Sequence, residues 1–78
     1  MAVRPLTTLD EGETGKIVEL RAGWRFAQRM TELGFDKGSE IRIVSRGAPG
    51  PFVVEIKGCG RIVIGWREAQ KIIVEKGD

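Results

Sequence analysis

The side chains in this 78-residue chain that could carry covalent or acid–base chemistry are few. There is one cysteine, Cys59, held between Gly58 and Gly60, and there is no histidine. A thiol becomes a nucleophile through a neighbouring base, so nucleophilic catalysis lacks its second member here. Asp10, Glu11 and Glu13 lie close enough to resemble an acid–base set, but such a cluster in a short polar stretch reads first as a solvated acidic loop. Thr7, Thr8 and Thr14 read as turn and strand-entry residues. The chain is therefore expected not to be an enzyme. Borderline metals favour imidazole, thiolate or clustered carboxylate, and Cys59 is the single soft ligand, so no resident metal or cofactor is expected. A site gathered in space from several loops, or a cysteine bridge between two chains, is the alternative that stays open.

The remaining chemistry is that of recognition. Arg21, Arg25 and Arg29 recur every four residues with no acid between them, the spacing of a basic stripe on one helix face if the helix starts early enough. Such a stripe is either a solvated face or a contact surface for an acidic partner. Trp24 and Trp66 each adjoin an arginine, Arg25 and Arg67. Tryptophans of this kind usually sit partly in a core, yet a tryptophan beside a guanidinium is also a common binding anchor. The segment Gly47-Ala48-Pro49-Gly50-Pro51 reads as a stiff solvent-facing loop, which loses little entropy on binding. Trp24, Arg25, Arg29 and Pro49 are thus the candidate partner-binding residues. Elsewhere thirteen basic and eleven acidic residues interleave to a formal charge of +2, which speaks against a phosphate-binding face and so against nucleic acid.

The elements that must position these residues follow from length and periodicity. With 78 residues the chain is expected to form one domain over residues 1–78, and 41% hydrophobic against 31% charged residues is the balance of a folded one. One cysteine excludes an internal disulfide, which fits a reducing compartment. The apolar runs are too short to span a bilayer and the first residues lack a secretory h-region, so a cytoplasmic, non-inserted protein is expected. Eleven glycines separate short Ile- and Val-rich runs, the pattern of a small β-barrel. Five strands are expected, over 16–20, 40–45, 52–57, 61–64 and 71–75. Between the first two, Phe26, Ala27, Met30 and Leu33 give the apolar face of a helix over 24–33. Gly34 stands where a left-handed residue closes such a helix, Phe35 where a side chain packs back on it, and Gly38 in the turn into the next strand. Gly58-Cys59-Gly60 reads as an exposed hairpin turn, and residues 65–70 as a helical turn before the last strand.

The order Leu6, Leu9, Gly12, Gly15, Ile17, Arg29, Glu32-Leu33-Gly34-Phe35, Gly38, Ala48-Pro49, Gly58 and Glu68-Ala69 closely resembles the FeoA family over nearly the whole chain. The resemblance implies a mainly β, SH3-like five-stranded barrel with one α-helix between strands one and two. It also implies a cytosolic accessory role in ferrous-iron uptake, with a FeoB-type transporter, a membrane protein carrying a cytosolic GTP-binding domain, as partner. Weak self-association is compatible with that role. Two alternatives remain: a stand-alone metal-responsive SH3-like regulatory domain, and an SH3-like nucleic-acid- or ribosome-binding module. The chain departs from tyrosine-rich SH3 grooves in having no tyrosine, so proline-rich peptides are not the expected ligand.

Overall fold

A computed structural model describes residues 3–47 and 50–77. In chain order it contains β1 (Val3–Pro5), a 3-10 turn (Leu6–Thr8), β2 (Thr14–Leu20), α1 (Trp24–Glu32), β3 (Glu40–Arg46), β4 (Phe52–Ile56), β5 (Gly60–Ile64), α2 (Trp66–Gln70) and β6 (Ile72–Lys76). The strands form one antiparallel sheet in the order β1-β6-β2-β3-β4-β5. All five expected strands are present and the fold is mainly β, as expected. The sixth, β1, was not anticipated: it is three residues long and ends in Pro5, and it exists through its pairing with β6 at the far end of the chain.

Alternation decides which face of each strand is buried. In β4, Phe52, Val54 and Ile56 are buried while Val53 and Glu55 are only partly so; in β3, Ile41 and Ile43 point inward between exposed Glu40 and Arg42. Irregular register between Ile17 and Glu19 and between Ile43 and Ser45 marks bulges, which bend the sheet around its contents. The core so enclosed joins Leu6, Leu9, Ile17, Met30 and Phe35 to the inner residues of β3, β4 and β6. Complete burial of a side chain the size of Phe35 or Phe52 contributes about 1.5–3 kcal/mol each.

The end of α1 sets the path of the chain. The Phe35 N–H donates to the Met30 carbonyl at 2.8 Å and the Gly34 N–H to that of Thr31 at 3.0 Å, the paired bonds of a Schellman closure. Gly34 takes φ +101° to make them. Phe35 then falls into the same buried cluster as Met30. Gly38, at φ +90°, donates to the Ile17 carbonyl at 2.7 Å, and Ile17 donates to Ser39 at 2.9 Å, so the turn is tied to β2 before β3 begins. Leu33 differs from expectation. The helix ends at Glu32, and Leu33, as the capping residue, is 44% exposed, because Phe35 fills the core position that a longer helix would have left to it.

The acidic stretch is tied down more firmly than a solvated loop. The Glu13 carboxylate accepts the Asp10 N–H at 2.7 Å and pairs with Lys76 at the end of β6. Arg46 donates to the Leu9 carbonyl at 2.7 Å and lies 3.4 Å from Asp10, and the Arg46 N–H donates to Glu11 at 3.2 Å. The Asp10 N–H, followed by Lys76, holds the Glu13 carboxyl below its ordinary range, against desolvation, which acts the other way.

Two predictions follow from these contacts. Gly34→Val should lower stability by more than the roughly 1–2 kcal/mol of the left-handed conformation, and Gly34→Asn by less, in urea melts. A Cβ at Gly34 would also meet the Cys59 sulfur at 3.3 Å, which adds crowding to strain. Because folding depresses the Glu13 pKa, its contribution is complete above the ordinary carboxylate pKa and is lost as pH falls through the lower folded value. Glu13→Gln should therefore destabilise the protein at about pH 7 and make little difference at about pH 2, in melts at the two values.

Candidate protein-binding surface

Helix α1 starts after Gly23, which offers no side-chain cap; its carbonyl accepts the N–H groups of Phe26 and Ala27 at 3.0 and 3.2 Å. Met30 turns inward, with Phe26 and Ala27 half-buried beside it. The opposite side carries Trp24, Arg25, Gln28, Arg29 and Glu32, which line an open depression. Trp24 is 71% exposed, so the usual placing of a tryptophan partly in the core does not hold for it. The Arg25 guanidinium lies 5.6 Å from the centre of its ring, a cation–π contact. Neither Arg25 nor Arg29 makes an ion pair among the described residues. Arg29 is exposed and has no carboxylate partner there, Glu32 included.

The other expected members fall elsewhere. Arg21 precedes the helix and pairs with Glu19 at 3.3 Å, so the basic stripe consists of Arg25 and Arg29. Trp66 is half-buried against Phe52, with ring centroids 5.5 Å apart, and serves packing. Pro49 lies outside the described residues. Asp10 and Glu11 both engage Arg46, and Glu13 is held by Lys76 and the Asp10 N–H, so the three carboxylates are tied to cations and backbone. Cys59 is exposed in the β4–β5 turn. Among the described residues no group of three or more His, Cys, Asp or Glu is placed to hold a metal ion, and no helix is long and apolar enough to cross a membrane.

Sequence reasoning missed a second exposed feature. Val63 is 66% exposed, and with Leu33 it flanks a groove of about 160 Å3 between α1 and β5, bordered by Arg29 and Glu68. The signal was available for Val63: Ile62 and Ile64 share one face of β5, so Val63 must take the other. No periodicity argument could have exposed Leu33, because it lies in phase with the buried face of α1.

A six-stranded antiparallel sheet curled over one core, with a surface helix and no assembled reactive groups among the described residues, defines an SH3-like module. A family model, the FeoA domain, matches residues 4–76. A Methanocaldococcus jannaschii protein named as Fe(2+) transport protein A is 34% identical over 74 residues, covering 95% of this chain and 88% of its own. An iron uptake regulatory protein (FeoA) of known crystal structure superposes with a TM-score of 0.88 at 26% identity, over 99% of this chain and 100% of the other. The zinc complex of FeoA from Stenotrophomonas maltophilia, described as a prokaryotic SH3 domain protein, gives a TM-score of 0.76 at 29% identity, over 91% and 88% of the two chains. The chain belongs to the FeoA family, which is linked to ferrous-iron transport.

Cys59 should react with a thiol reagent in the folded protein nearly as fast as in urea, read by mass shift over time. Cys59→Ser should leave iron uptake unchanged in cells that depend on this protein.

Proposed function

We propose that this protein is a cytoplasmic, non-enzymatic accessory factor of ferrous-iron uptake that works by binding the cytosolic portion of a FeoB-type transporter. Family membership supports the process. The observation that carries the mode of action is the exposed Trp24–Arg25 pair on a helix face whose arginines have no intramolecular carboxylate among the described residues. Covering the Trp24 ring removes apolar surface from water, and an acidic partner can pair with the two guanidinium groups without first breaking an intramolecular ion pair. Trp24 would supply the buried anchor, and Arg25 and Arg29 would steer encounter.

The test is a binding isotherm with the transporter's cytosolic portion at low and moderate salt, beside a melting curve. Arg25→Glu should weaken binding about tenfold, more at low salt, with a melting temperature close to the parent's. Trp24→Ala should lose at least as much affinity. Unchanged affinity in both folded variants would remove the helix face from the interface, and absence of binding by the parent would overturn the proposal.

A further inference from the structure

The sheet has two ends, and they are built differently. At one, β1 is three residues long, finishes with proline, and keeps Arg4 and Pro5 half-buried, which are features that block further pairing. At the other, β5 is hydrogen-bonded only to β4, so its outer edge has no strand partner among the described residues. The groove beside α1 runs along that outer edge. Ile62, Val63 and Ile64 are consecutive residues and all three border it, although neighbouring side chains point to opposite faces of a strand. A depression touching three in a row therefore follows the backbone edge, where every second N–H and C=O projects outward.

We propose that this edge accepts an extended acidic segment of a partner protein by strand addition. This inference deepens the reading of the protein as a binding module. Backbone of the added segment would satisfy the open N–H and C=O groups of β5. Its aliphatic side chains would share the face of Ile62 and Ile64 and enter the groove of about 160 Å3 beside Leu33, and its carboxylates would take the opposite face, that of Arg61 and Val63. The charges identify the segment's chemistry. Arg29 borders the groove without an ion pair, and Arg61 shares the one carboxylate of Glu55, at 3.9 Å, with Arg42, at 2.8 Å, which leaves that trio net positive. Glu68 is the single acid on the groove and stands at its α2 side, so the segment's carboxylates belong beside Arg61 and Arg29. The same charges disfavour a second copy of this chain. Pairing β5 with β5 would set Arg61 of each copy against an edge that is itself net positive.

The probe is a synthetic acetyl-Glu-Val-Glu-Leu-Glu-Val peptide, titrated into the isotopically labelled full chain, with a Lys-for-Glu version as control. The expected result is slowed amide exchange and shifted resonances at Arg61–Ile64 and Arg29–Leu33, with weaker binding of the lysine peptide. Val63→Glu, an exposed substitution, should reduce affinity for the acidic peptide about tenfold without changing the melt. Absence of slowed exchange on β5, equal binding of the two peptides, or an unaffected Val63→Glu variant would each overturn the inference, as would β5 protection that grows with protein concentration alone. The isotherm with the transporter's cytosolic portion decides the accessory role separately, because it needs no peptide and can succeed or fail while β5 does the opposite.

Discussion

Everything downstream of residue 33 depends on the closure of α1 at Gly34. Two backbone bonds, Phe35 to Met30 and Gly34 to Thr31, require φ +101° at one residue, and only glycine adopts that value without cost. The closure does two things at once. It places the Phe35 ring in the core in register with Met30, and it reverses the chain so that Gly38 and Ser39 bond to Ile17 and β3 begins beside β2. A helix one turn longer would carry Phe35 away from its place beside Met30 and shift β3 out of register. In a barrel this small no second core exists among the described residues to absorb that error.

The same closure shapes the surface. By ending the helix at Glu32 it turns Leu33 outward, next to the edge of β5, and by fixing the helix against the barrel through Met30 it leaves Trp24, Arg25 and Arg29 in water. Arg29 belongs to both the helix-face depression and the β5 groove, so the two surfaces are contiguous. Some charges elsewhere are paired, Arg46 with the Leu9–Glu11 stretch, Lys76 with Glu13 and Arg42 with Glu55, whereas Lys16, Lys57 and Arg67, like Arg25 and Arg29, make no ion pair among the described residues. What sets the α1 face apart is the exposed Trp24 ring beside Arg25 and Arg29.

Much of this was legible in the residues alone, and for local reasons. Alternation in Glu40–Arg46 and Phe52–Ile56 can bury only one face of a strand, and glycine at positions 34 and 38 answers conformations that other residues resist. These are constraints between near neighbours, so a single chain displays them. The five expected strands, the helix and its closing motif follow from them, as does the resemblance that pointed to the FeoA family.

What the tertiary structure decided are the relations between distant segments. Strand β1 is stabilised by partners some seventy positions away, and no pattern within Val3–Pro5 announces them. Trp24 and Trp66 occupy matching positions, each opening a helix beside an arginine, yet one lies in water and the other on Phe52. The difference comes from packing: α2 lies against the Leu6–Thr8 turn and β6, and its tryptophan reaches Phe52. Likewise Arg21 and Arg25 share a spacing but not a fate, because α1 begins between them and Glu19 claims the first. Residue type and spacing determine which elements form and which residues are able to bind. Exposure and the absence of a competing partner determine which of them are free to, and both are properties of the packed chain.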